Sequence, residues 1–215
     1  GATISLNHPF NELCPWTFGF EGFAWDMVEG WNGTADPADA RAVAWWHGLL
    51  CKGARTPLVG GSDFHRHEPL RAVGTPTTFV YGASRSTADI MDGLRAGRSF
   101  LAFTRAGPFL DLRVDGKGFG GSAALARVGE GSAAVRAARA GDRVRLLDGR
   151  GNVEEWQVPF DGEHARRFAA SPDALFYRLE VRRRIAAGVD ASASPSLRTV
   201  SSWNSRAFGA LWKYR

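Results

Sequence analysis

The sequence predicts an α/β fold with largely parallel strands up to about residue 104, followed by a small antiparallel β domain of sandwich type. Three observations carry this. Strand-like runs alternate with two capped helical segments in the first part of the chain. After Gly107-Pro108 the texture changes to short alternating segments separated by Gly and Asp turns. The charge changes with it: up to Thr104 there are 8 Lys/Arg against 10 Asp/Glu, net −2, and from Arg105 there are 19 against 12, net +7, which together give the +5 of the whole chain. Such asymmetry marks two parts with different surfaces. The division is placed near residues 104–108, separating 1–106 from 107–215.

Taken in order, Ile4 to Asn7 reads as a strand that His8-Pro9 ends, because proline has no N–H for the ladder. An aromatic-rich loop follows, and then an apolar run from Asp26 to Trp31 that stops at Asn32-Gly33. Asp36 before Pro37 is a helix start, an N-cap followed by the residue best suited to the first helical position. That helix is expected to run to about Lys52, with Ala42, Trp45, Trp46 and Leu49 on one face and Gly53 as the stop. His47 lies inside it and is read as a packed or surface histidine. A strand follows from Pro57 to Gly60, another from Thr75 to Tyr81, and Ser86 with Asp89 resembles a capping box opening a second helix that Gly97 closes. A strand from Ser99 to Phe103 completes this part. Beyond it, Leu110 to Val114, Val144 to Leu147, Val153 to Phe160 and Phe176 to Val181 alternate as half-buried strands do. The Ala/Ser-rich stretch Ala186 to Ser196 is read as a mobile loop.

The chain has 215 residues, is 44% hydrophobic and 23% charged, and so has the material for a buried core. No apolar run approaches the roughly eighteen residues that span a bilayer, and no charged-then-apolar leader is present. The chain opens Gly-Ala-Thr-Ile rather than with Met, and is expected to begin downstream of a longer protein's start. The compartment stays open. Cys14 and Cys51 are too few for a disulfide scaffold and too far apart for a CxxC knuckle, and each is expected to be a small buried hydrophobe. The basic second part raises nucleic-acid binding. Its arginines are scattered, however, and no recognition motif accompanies them, so a solvated arginine-rich surface is the preferred account.

The stretch Gly60-Gly61-Ser62-Asp63-Phe64-His65-Arg66 places a carboxylate and an imidazole two residues apart at the end of an apolar strand. In extended backbone, residues i and i+2 point the same way. Asp63 and His65 would then offer an oxygen and a nitrogen in one direction, as ligands of one or two metal ions do. The competing reading is a glycine turn in which Asp63 caps a helix or loop after it and His65 is exposed. Asn7-His8-Pro9 ends another strand, and Glu29, Trp31 and Asn32 end a third. His8 alone reads equally as a turn histidine. No GxSxG or Ser/His/Asp arrangement is present.

Together, ISLNHPF, DMVEGWNG, AWWHGLLCKG, VGGSDFHRH, GTPTTFVY and IMDGLRAGRSFLAF resemble the PHP (polymerase and histidinol phosphatase) family of metal-dependent hydrolases, most closely its carbaryl-hydrolase-like CehA/McbA branch. The likeness covers roughly residues 3 to 108; the β domain is similar much more weakly. It implies the C-terminal part of a distorted seven-stranded β/α barrel holding two or three divalent ions, Zn, Mn or Fe. It also implies that His8 belongs to the third metal motif and that Asp63 and His65 belong to the fourth. Glu29 and Asn32 would line the pocket, and Arg66 and His67 would meet an anionic leaving group or face solvent.

The expected activity is hydrolysis of phosphoester, ester or carbamate bonds of a small-molecule substrate by metal-activated water. The family's first motif, an HxH on the first strand, and the second-motif ligands are expected to lie upstream, so the chain by itself is expected to be inactive. The rival readings are a binding module that keeps the fold without the chemistry, and nucleic-acid binding by the β domain.

Overall fold

The computed structural model describes residues 2–22, 24–33, 36–67 and 72–183, together with the backbone of 184 and of 203–213. Its elements run β1 (Ser5–Leu6), β2 (Met27–Asn32), α1 (Pro37–Cys51), β3 (Leu58–Gly61), β4 (Thr77–Val80), α2 (Thr87–Arg95) and β5 (Ser99–Ala102). They continue with β6 (Phe109–Val114), β7 (Ser122–Ala123), β8 (Gly129–Ala138), β9 (Arg143–Asp148), β10 (Gly151–Gln157), β11 (Gly162–Ala170), β12 (Phe176–Arg184) and β13 (Trp203–Lys213). The stretch 186–196, read as a loop from its composition, lies outside the described residues. Among the described residues, no helix is long and apolar enough to cross a membrane.

Among the described residues, three sheets result. The first is parallel, in the order β1-β2-β3. The second is mixed and follows the path β10-β9-β12-β13-β5-β4, with β7 alongside β13. The third is antiparallel, in the order β11-β8-β6.

The expected β/α barrel is not formed. Among the described residues the molecule is mostly strand with two helices, and none of its sheets closes on itself. The decisive departure is β4 and β5, which pair antiparallel even though α2 lies between them in sequence. Alternating strands and helices imply parallel pairing only if the helix carries the chain back along the full strand. Here the connection closes where it opened, with Tyr81 N–H donating to Arg98 C=O at 2.8 Å. Gly93 allows this. A Cβ there would sit 2.5 Å from Val80 Cγ1 and 3.1 Å from the Tyr81 carbonyl, so α2 can rest directly against the end of β4. Strand β5 then joins β13, and the mixed sheet continues across residues 104–108, where the sequence changes texture.

α1 starts where the sequence predicts. Asp36 accepts from the N–H groups of Ala38 and Asp39 at 2.6 and 3.1 Å, the Asp39 carboxylate accepts in turn from Asp36 N–H at 3.0 Å, and Pro37 follows the cap. At α2 the box is one-sided: Ser86 Oγ accepts from Asp89 N–H, while the Asp89 carboxylate turns to the Ser84 hydroxyl.

Strand alternation explains the layering, since successive side chains point to opposite faces. Tyr177, Leu179 and Val181 of β12, with Val144 and Leu146 of β9, meet Leu110, Leu112, Ala133 and Val135 of the antiparallel sheet in one core. Phe176 faces the other way. With Leu101 of β5 it joins Leu6, Val28, Trp31, Val43, Trp46 and Leu58 in a second core between the mixed sheet, the parallel sheet and α1. The face that carries Phe176 also carries Arg178 and Glu180, 6% and 1% exposed. Cys14 is exposed rather than buried, because the Asn11 side chain holds the N–H groups of Leu13 and Cys14 in a turn on the surface. Cys51 is half-buried, with its thiol 3.7 Å from the Gly149 carbonyl.

Candidate functional site

The candidate site is built on the carboxyl ends of the parallel sheet. β1 ends at Leu6, two residues before His8, and β3 ends at Gly61, two residues before Asp63. Both residues have left-handed backbone, φ 35° at His8 and 47° at Asp63. Non-glycine residues adopt that region at a cost, and such positions cluster where a side chain must be aimed. Between these two strands, β2 brings Glu29, 6% exposed, and Asn32, half-buried.

The structure joins His8, Glu29 and Asn32 directly. Glu29 Oε2 accepts from His8 N–H at 2.7 Å and from Asn32 Nδ2 at 3.2 Å. Burial pushes the Glu29 carboxyl above its usual range; the bonds from His8 and Asn32 and the charge of His8 pull it down, and neighbouring Asp63 pushes it up. Asp63 and His65 form a second group, with His65 Nε2 3.0 Å from Asp63 Oδ1. They do not meet through extended alternation, because the backbone at Asp63 is left-handed rather than extended. His65, Arg66 and His67 are exposed, and the His67 ring packs edge-on against Phe64 at 5.4 Å. Trp31 is buried in the second core rather than facing the site.

One further residue belongs to the site. Asp39 lines the same cleft as His8, Glu29 and Asn32, and accepts from Asn32 N–H at 2.9 Å through the oxygen not engaged in the α1 cap. The D-P-A-D spacing signals a capping residue, but nothing local signals the bond back to β2. His47 lies on another side of α1, where its Nδ1 accepts from Arg178 Nε at 3.1 Å.

The donor types suit a divalent cation: an imidazole whose Nδ1 is buried without a hydrogen bond, and a carboxylate facing a second imidazole. Among the described residues, no three or more His, Cys, Asp or Glu side chains stand close enough together to hold a metal ion, so the expected ligands His8, Asp63 and His65 are not gathered into one cluster. Comparison with protein-family profiles, curated proteins and solved structures finds no match to the chain.

The cleft has a pH signature. Burial, opposed by the N–H groups of Asn32 and Asp36, raises the Asp39 carboxyl from 3.8 to about 7. Between those values the folded chain keeps a proton that the unfolded chain has released, so stability falls as pH rises and levels off above about 7. Asp39→Asn is expected to flatten this slope. Urea midpoints for both proteins at pH 5 and pH 8 check it; an equal pH slope in the two would show that Asp39 is ionised throughout.

Proposed function

We propose that this chain contributes His8, Asp63 and His65 to the divalent-metal centre of a hydrolase of the PHP type acting on phosphoester, ester or carbamate bonds. The observation that carries the reading is the pair of left-handed residues, His8 and Asp63, at the ends of two parallel strands on either side of the strand bearing Glu29. The reading needs these strand ends only and does not need a barrel. His8 would bind through its buried, unbonded Nδ1, and Asp63 and His65 through the atoms that now face each other. A bound divalent ion supplies a water of near-neutral pKa and polarises the ester oxygen. Asn32, half-buried at the rim, would orient substrate through its amide, and Arg66 and His67 are exposed where an anionic leaving group would depart.

Calorimetric titration of the 215-residue chain with Zn²⁺ or Mn²⁺ tests this. Weak saturable binding of one ion is expected, reduced at least tenfold by Asp63→Asn. Absence of binding, or binding indifferent to Asp63→Asn, removes the metallohydrolase reading. The incomplete donor set among the described residues favours one alternative, a binding module on this scaffold, and the same titration separates the two.

A further inference from the structure

We infer that Glu29 is a positioning residue: from across the parallel sheet its carboxylate holds the backbone of His8 and the amide of Asn32 in their working orientations, and it does not itself meet substrate. The inference rests on the proposed metal centre for its functional meaning, but its structural basis is independent of it.

His8 is under two opposed constraints. Pro9 follows it, and a residue before proline is driven towards extended backbone by the clash with the proline ring. His8 nevertheless adopts φ 35°. Its buried Nδ1 has no hydrogen-bond partner and so does not hold that conformation. Two backbone contacts do hold it. Its carbonyl accepts from Asn11 N–H at 3.0 Å, closing a turn over Pro9-Phe10. Its N–H donates to Glu29 Oε2 at 2.7 Å, the short distance of a bond to a charged acceptor. The turn leaves the direction of entry from β1 free, so the Glu29 bond decides where the imidazole is aimed.

Glu29 suits that role better than contact with substrate. It is 6% exposed, its side chain lies between the ends of β1 and β3, and the oxygen that takes His8 N–H also takes Asn32 Nδ2. A buried carboxylate is tolerated only when its oxygens are bonded. Its second oxygen lies beside β3, 3.8 Å from where a Cβ on Gly61 would stand. One buried group thus ties the residues after β1 to the end of β2, beside the strand that leads to Asp63.

Glu29→Ala and Glu29→Gln test this in the 215-residue chain, read without metal by amide NMR and with Zn²⁺ by calorimetry. In Glu29→Ala the His8 amide signal is expected to move and its hydrogen exchange to speed at least tenfold, with Zn²⁺ affinity lowered about 10–100-fold. In Glu29→Gln the amide oxygen still accepts from His8 N–H, so exchange protection and most of the affinity are expected to return. An unmoved His8 amide in Glu29→Ala overturns the inference. So does a Glu29→Gln protein that keeps His8 protection yet loses affinity as fully as Glu29→Ala, because Glu29 would then touch the ion or ligand itself. If the unaltered chain binds no Zn²⁺ while Glu29→Ala still releases the His8 amide, the metal reading fails and the positioning role stands.

Discussion

Glu180→Ala is expected to destabilise the fold by about 3–5 kcal/mol, the usual consequence of leaving a buried charge without its partner. The side chains of Glu180 and Arg178 are 2% and 7% exposed, and Arg178 Nη1 donates to Glu180 Oε2 at 3.1 Å. Arg182 also bonds Glu180, and Arg145 stands 3.6 Å from it, so removing the carboxylate leaves three guanidinium groups facing one another. Arg178 also reaches α1 through His47, whose imidazole is held below its usual pKa by burial and then by the Arg178 charge. Loss of Glu180 therefore loosens the joint between α1 and the mixed sheet. Urea unfolding at pH 7.5 measures the cost. The double variant Glu180→Leu/Arg178→Met is expected to be more stable than Glu180→Ala, because Arg178, the most buried of the three guanidinium groups left without the carboxylate, is removed with it. A cost for Glu180→Ala below about 1 kcal/mol would mean that water reaches the arginines in the fold.

Gly120→Ala is expected to cost about 2–4 kcal/mol, combining left-handed backbone strain with a steric clash. Gly120 has φ +70°, and a Cβ there would lie 2.2 Å from the Ala96 carbonyl oxygen and 2.6 Å from Arg98 N. Those atoms are backbone, in the turn between α2 and β5, and cannot rotate away. The control is Gly116→Ala. Gly116 has a similar φ of +77° but nothing within 4 Å of the added carbon, so only the conformational part, about 1–2 kcal/mol, is expected. Thermal unfolding of the two variants separates space from strain. Equal losses would show that the close approach at Gly120 relaxes at no cost.

Much of the candidate site was legible because its residues stand next to strand-ending signals. His8 precedes a proline, Asp63 follows two glycines, and Asn32 precedes Gly33. The bond from His8 to Glu29 spans 21 residues, and that between Asn32 and Asp39 depends on how α1 settles against β2. Neither has a local signature. Glu29 read as a pocket-lining residue because strand ends expose side chains; its burial comes from the neighbouring strands on both sides.

By itself the sequence determined what is decided over a few neighbouring residues. It set the start of α1, where the Asp36 side chain and the fixed φ of Pro37 act within one turn, and the face-by-face alternation along β12 that sends Tyr177 and Phe176 into different cores. Only the tertiary structure decided strand direction and sheet membership. β4 and β5 run antiparallel because α2 packs back against the end of β4 at Gly93, and β5 enters the mixed sheet because β13, about a hundred residues later in the chain, supplies the partner for its free edge. A cap or a period is satisfied by the chain nearby, whereas a strand's hydrogen-bonding edge is satisfied by whichever distant segment best covers the same core.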